Sequence, residues 1–203
     1  MGSSAWCGGG SVASVQVASQ KIRIDRTWDG EAVEAGAVVN MRVEAASNGL
    51  CVSFEAPFVH DPPPTGPPGP TPGLWNFEVV ELFVLGEDER YVEVEVGPHG
   101  HHLVLELHGV RRVVREMLPL EYDVRIETSR WCGRFIVPTS LLPPGVHRYN
   151  AHAIRGLGSE RRYLAAHPAG GDAPDFHRLS AFASLGADLV NAVSAAKRSG
   201  RDR

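Results

Sequence analysis

The sequence predicts an all-β domain, an antiparallel β-sandwich or a closed barrel, with a short helix at its C-terminal end. Three observations carry this prediction. Apolar and polar residues alternate with a period of two through most of the middle of the chain, as half-buried strands require. Gly, Pro and Asp separate these segments in the manner of turns. No alternation of strands with long helical patterns occurs, which argues against a doubly wound α/β fold. The size agrees: 203 residues, 43% apolar and 22% charged, suit a globular domain with a sizeable core.

Residues 1–20 are small and polar around Gly8-Gly9-Gly10 and read as a loose arm that donates a strand near Val12–Val17. The arm lacks the basic start and apolar stretch of a secretory signal, and Trp6 stands where a myristoylation site wants Ser or Thr. The strands then follow in order. Val39, Met41 and Val43 alternate with Asn40 and Arg42, and Leu50, Val52, Phe54 and Ala56 with Cys51, Ser53 and Glu55. Tyr91–Val96 reads Y-V-E-V-E-V, and Leu103, Leu105 and Leu107 share one side of the next segment. Tyr122, Val124 and Ile126 repeat the pattern, as do Phe135 and Val137 after Trp131. Leu189, Val190, Val193 and Ala196 fall at helical spacing before a basic tail running from Lys197 to Arg203.

One segment breaks the rhythm. Eight of the fifteen prolines lie between Pro57 and Pro72, and proline lacks the donor an interior strand needs. The segment reads either as a stiff connector or as a loop that holds a wall beside a site. It is also the expected contact for any protein partner.

Composition excludes several functions. The formal net charge of −4 gives no general electrostatic reason to bind nucleic acid. No run approaches the roughly 20 apolar residues of a membrane span. Cys7, Cys51 and Cys132 cannot all pair in one chain and no CxxC occurs, which argues against a disulfide scaffold or structural zinc site and favours a cytoplasmic protein. P-loop, Rossmann and nucleophile-elbow motifs are absent.

The polar residues worth attention gather on a few strands. A four-residue turn, Gly97–Gly100, would set Val96 opposite His101 and put both apolar stripes of that hairpin on one face. The opposite face would then pair Glu95 with His102 and Tyr91 with Glu106. The preceding segment, Leu74–Val84, is apolar on both sides apart from Asn76, Glu78 and Glu81, as in a central strand. A four-residue turn over Gly86–Glu89 would bring Glu78 to the face of Glu93 and Glu95. A five-residue turn through Arg90 would bring Trp75, Phe77 and Glu81 there instead. Either register collects acids beside Trp75. An aromatic platform with convergent polar groups suits a sugar, whose ring face stacks while its hydroxyls seek donors and acceptors. Trp28 and Trp131 are weaker platforms. His102, Glu106 and His108 have no recognised zinc spacing. Glu81 with Glu93 or Glu95 meets the residue requirement, though not yet the geometry, of a glycosidase pair.

Several blocks carry a resemblance. Thr27-Trp28-Asp29-Gly30, Ala56-Pro57-Phe58, Asp61-Pro62-Pro63, Leu74-Trp75, Glu78-Val79-Val80-Glu81, Tyr91–Glu95, Pro98–Leu105 and Pro174–His177 occur in this order. The arrangement, spanning about Lys21 to Leu185, resembles a eukaryotic family named for chromosome 4 open reading frame 33. More distantly it resembles carbohydrate-binding family 9 modules and their DOMON-like relatives. The resemblance implies a jelly-roll type β-sandwich with a ligand face, in which Trp75 stands for one of two aromatics that clamp a sugar. Haem-binding relatives use Met and His, for which Met41 and Met117 are poorly placed. The expected organisation is an arm over 1–20, a β-sandwich over 21–185, and a helix with basic tail over 186–203.

The expected function is binding of a small polar ligand, best read as a carbohydrate or glycoconjugate. Trp75 serves as platform, Glu78, Glu81, Glu93 and Glu95 as acceptors, His99, His102 and His177 as donors, and Asp61 and Asp175 as loop contacts. No metal ligands and no cofactor are predicted, with calcium and zinc left open. Alternatives are a small sugar-directed hydrolase or lyase-like enzyme using a Glu/His pair, and a protein-interaction module using the proline-rich loop.

Overall fold

The computed structural model describes residues 17–199. The expected arm strand therefore lies, apart from Val17, outside the described residues, as does the tail beyond Ser199. Fourteen strands form two sheets: β1 Ser19–Ile24, β2 Arg26–Thr27, β3 Val39–Ala46, β4 Gly49–Pro57, β5 Gly69–Pro70, β6 Val79–Leu85, β7 Arg90–Val96, β8 His101–His108, β9 Val113–Arg115, β10 Glu121–Ile126, β11 Arg130–Pro138, β12 Arg148–Arg155, β13 Arg162–Ala165 and β14 Ala183–Ser184. The smaller sheet runs β1-β3-β4-β11-β10, and the larger runs β2-β13-β12-β6-β7-β8-β5, with β14 on β12 and β9 on β8. All pairings are antiparallel except that of β5 with β8. The fold is a β-sandwich.

The period-two pattern is satisfied between the sheets. Met41, Val43, Val52, Phe54 and Phe135 of the smaller sheet meet Val80, Leu82, Val84, Val92, Val94 and Val96 of the larger one. Helix α1, Ala187–Ser199, buries Leu189 and Val193 against the same core. At Gly133 the absence of a side chain makes room for a ring: a Cβ there would stand 2.3 Å from Phe54 Cζ. That ring cannot easily retreat, because Trp131 meets it edge-on at 4.9 Å.

The larger sheet is apolar on its outer face as well. Val79, Phe83, Leu85, Tyr91, Leu103, Leu105 and Leu107 form a second core with Leu74, Ile154 and Phe182. Leu74 belongs to this layer but not to a strand, and Trp75 follows it, exposed. The segment expected as one strand from Leu74 splits into a 3-10 turn, Leu74–Asn76, and β6, because Gly73 enters the turn in a left-handed conformation that glycine tolerates.

The proline-rich segment is neither an interior strand nor a free connector. Gly69 N–H donates to Gly100 O at 3.1 Å, and Thr71 N–H to His102 O at 2.8 Å. The segment thereby covers the edge of β8, where unpaired backbone groups would otherwise stand open. No helix among the described residues is long and apolar enough to cross a membrane.

Gly133→Ala is expected to lower stability by about 1–3 kcal/mol through overpacking. Thermal unfolding followed by circular dichroism should show a Tm drop of roughly 2–10 °C at this chain length. Pairing it with Phe54→Leu should cost less than the sum of the two single changes. Strict additivity would show that the ring and the missing Cβ do not compete.

Candidate functional site

Strand register decides what the outer face of the larger sheet presents. Leu85 pairs with Tyr91, so the turn between β6 and β7 has five residues, Gly86–Arg90, and Glu81 faces Glu95 while Phe83 faces Glu93. The following hairpin departs from expectation. Gly97 N–H donates to His101 O at 2.9 Å, and Val96 pairs with His102, which leaves five residues between the pair, Gly97–His101, rather than four. Gly100, at φ +84°, supplies the left-handed residue that such a loop requires. The expected pairs Glu95–His102 and Tyr91–Glu106 therefore do not form. Glu95 faces Leu103 and Tyr91 faces Leu107, while Glu106 pairs with Arg115. The valine and leucine stripes lie on opposite faces because this sheet buries both of them.

On that outer face lies a cavity of about 370 Å³ whose lining includes Trp75, Glu81, Glu93, Tyr163, Phe176 and His177, with Arg111 at its margin. Trp75 is 46% exposed, and its turn is held from both ends. Leu74 is fully buried. The Arg161 guanidinium donates to Trp75 O at 2.6 Å, Asn76 O at 3.1 Å and Gly156 O at 3.2 Å, and sits over the Tyr163 ring at 5.4 Å.

The floor is acidic and dry. Glu81, Glu93 and Glu95 are buried, and Glu81 Oε2 and Glu93 Oε2 meet no hydrogen-bond donor. Burial disfavours the charged form. It pushes Glu93 up to about 8, although contact with Glu95 and the Arg111 charge oppose it. Burial and the charge of Glu93 carry Glu81 well above the usual range, with Arg161 opposing. Glu95 rises for the same first reason, reinforced by Glu81 and Glu93.

His177 stands beside this floor. Its Nε2 is 3.8 Å from Glu93 Oε2 and its Nδ1 2.8 Å from Tyr91 Oη, which also accepts the Arg111 N–H at 3.1 Å. A Tyr91 proton directed at Nδ1 leaves the His177 proton on Nε2, facing Glu93, and we assign that tautomer. Burial, then the Arg111 charge, push His177 down to about 4, so the ring is neutral. Asp175 positions rather than lines the cavity. It accepts from Arg111 Nη2 at 2.7 Å and from His177 N at 3.1 Å. Burial works against its charge, but Arg111 and the His177 amide hold it below the usual range.

The remaining predicted residues lie elsewhere. Glu78 accepts the Val59 N–H at 3.3 Å, and burial raises it to about 7. Asp61 accepts the Gly156 N–H at 2.6 Å, so both acids fasten the start of the proline-rich loop. His99 sits at the hairpin tip with Phe58 at 5.9 Å. His102 is buried on the other side of β8, its pKa lowered by burial and by His101. Trp131 belongs to the inner core. Sequence reasoning did not single out Arg111, Tyr163 or His152. His152 lies opposite Glu81 and stacks on Phe176 at 3.9 Å and 8°; burial lowers its pKa far enough to keep it neutral.

A larger trough of about 900 Å³ crosses the outer face of the smaller sheet. Several of its charges are paired, as Arg42 is with Glu44 at 2.9 Å, Arg125 with Glu127 at 2.7 Å and Glu55 with Arg130. No exposed aromatic ring and no unpartnered buried polar atom line it. The smaller cavity is the candidate site on chemical grounds.

The folded state binds protons at Glu78 and Glu93 that the unfolded chain releases near 4.5. Stability from these groups is therefore full below pH 4.5 and lost as pH rises through about 7 and about 8. Melting temperature should fall across that window, and Glu93→Gln should flatten the fall. An unchanged slope in the variant would show that Glu93 ionises as freely folded as unfolded.

No protein-family model matches the chain. Among solved structures, a candidate carbohydrate-binding protein of Bacteroides uniformis is similar in fold, with a TM-score of 0.64 and 16% identity over 83% of this chain and 85% of that one. The UPF0462 protein C4orf33 homolog of Danio rerio is 43% identical over 168 residues, covering 78% of this chain and 85% of that protein. The human UPF0462 protein C4orf33 is 41% identical over 172 residues, covering 80% and 86% respectively. Likeness of this extent places the chain in the UPF0462 (C4orf33) family.

Proposed function

We propose that the protein binds a small polar ligand, best read as a carbohydrate or glycoconjugate, in the cavity beside Trp75. One observation carries the reading: a half-exposed indole borders a cavity floored by buried carboxyls with unmatched oxygens. A sugar ring would lie against Trp75, Tyr163 or Phe176 while its hydroxyls meet Glu81 and Glu93. A neutral carboxyl donates one hydrogen bond and accepts others, so it suits a hydroxyl in either sense. About 370 Å³ lies within the range of small-ligand pockets and fits one or two sugar rings. The fold likeness to the Bacteroides uniformis protein supports this class of ligand.

Tryptophan fluorescence during titration with mono- and disaccharides should change saturably. Trp75→Ala should weaken binding by roughly 10–100-fold, as loss of an aromatic anchor does, with the fold intact. Arg161→Ala, which frees the Trp75 turn without removing a lining side chain, should weaken it by about 3–10-fold. A flat response across the panel from folded protein overturns the reading.

A second reading rests on Glu93 and His177. An acid whose pKa lies near 8, 3.8 Å from a neutral imidazole, has the protonation state that general acid catalysis of sugar cleavage needs. Turnover of chromogenic aryl glycosides would then follow a bell-shaped pH profile and disappear in Glu93→Gln. Absence of turnover across such a panel removes this reading and leaves binding.

A further inference from the structure

Glu81 and Glu95 stand directly opposite each other, with Glu93 on the same face. Three buried carboxyls so placed repel one another when ionised, and an unpaired buried charge is strongly unfavourable. The nearby cations are already engaged. Arg111 is paired with Asp175 at 2.7 Å, and Arg161 is spread over the carbonyls of Trp75, Asn76 and Gly156. His177 and His152 are neutral, and the Tyr91 hydroxyl is pushed up to about 12, chiefly by burial. The floor is thus neutralised by its own protons, while buried Glu81 Oε2 and Glu93 Oε2 lack donors and both side chains line the cavity.

The walls select among the cations that could replace those protons. Among the described residues, no group of three or more His, Cys, Asp or Glu side chains is disposed to hold a metal ion. Trp75, Tyr163 and Phe176 instead present aromatic rings to the same space. Rings attract an ammonium through their negative faces, and a carboxylate beneath completes its charge.

We propose that the ligand of this cavity carries an ammonium group, protonated or quaternary, seated between the aromatic walls and over Glu81 and Glu93. The proposal rests on the cavity being a ligand site and goes further by naming the charge of what it takes. The ammonium belongs either to an amino sugar or to a simple amine, and one set of titrations separates them. Cation binding displaces protons from the glutamates, so affinity for a permanently charged amine rises with pH through the neutral range.

Isothermal titration calorimetry of the full chain would use glucose, N-acetylglucosamine, glucosamine and choline, in buffers of differing ionisation heat. Glucosamine or choline should bind at least about tenfold more tightly than the neutral sugars. Binding should release protons, and choline, if it is a ligand, should gain affinity as pH rises. Glu93→Gln, isosteric with the protonated acid, should keep the fold and weaken the cations selectively. Equal binding of glucose, N-acetylglucosamine and glucosamine without proton release, and no choline binding, overturns the ammonium proposal while leaving the sugar reading standing. Choline binding with no response to any sugar does the reverse. Silence from all four probes removes both.

Discussion

Val80, Leu82 and Val84 of β6 face the smaller sheet, while Val79, Phe83 and Leu85 of the same strand face a second apolar layer. A sheet enclosed in this way has no wet side on which to leave a polar residue, so each one must be paired, neutralised or placed at a cavity. Glu81, Glu93 and Glu95 fall on the outer face by register, and the cavity lies over that same face. Replacing all three with apolar residues of similar volume would satisfy the packing equally well. Packing alone therefore gives no reason for carboxyls at these three positions.

The walls depend on supports that lie mostly outside the cavity. Gly73 turns the chain, Leu74 anchors it, and Arg161 gathers three carbonyls so that Trp75 projects instead of packing. The proline-rich segment leads into this turn after binding the edge of β8, and Asp61 and Glu78 fix where it begins. Opposite, the Arg111–Asp175 pair holds the loop bearing Phe176 and His177. Both loops are thus tied by hydrogen bonds over a packed floor.

Much of this was legible in the residues. Alternation located the main strands, and the positions of Glu81, Glu93 and Glu95 marked the face over which the cavity lies. The hairpin at Gly97 was misregistered because apolar stripes were matched as though only one face were buried. The signal that distinguishes the registers is Gly100, whose left-handed conformation closes the five-residue connection Gly97–His101. Tyr163 and Arg111 carried no local signal. Each reaches the cavity only through pairings distant in sequence, β13 with β12 and the Tyr91 hydroxyl with the Arg111 amide.

Binding and acid–base chemistry need the same starting condition here, protons resting on carboxyls in a dry floor, but they use it differently. A ligand that offers only hydroxyls leaves those protons in place and gains modest, directional hydrogen bonds. A ligand that offers a positive nitrogen exchanges with them, and the buried position that made the carboxylates unfavourable now strengthens the attraction. An enzyme would instead pass the Glu93 proton to a leaving group and recover one from a neighbour, for which the His177 Nε2–H is the nearest donor, with the Tyr91 hydroxyl able to replace it at Nδ1. Arg111 bears on all three outcomes, since its charge opposes protonation of both Glu93 and His177 while Asp175 holds it in place. Burial thus sets the charge state of the floor, and the Arg111–Asp175 pair at the cavity's margin tempers it at Glu93.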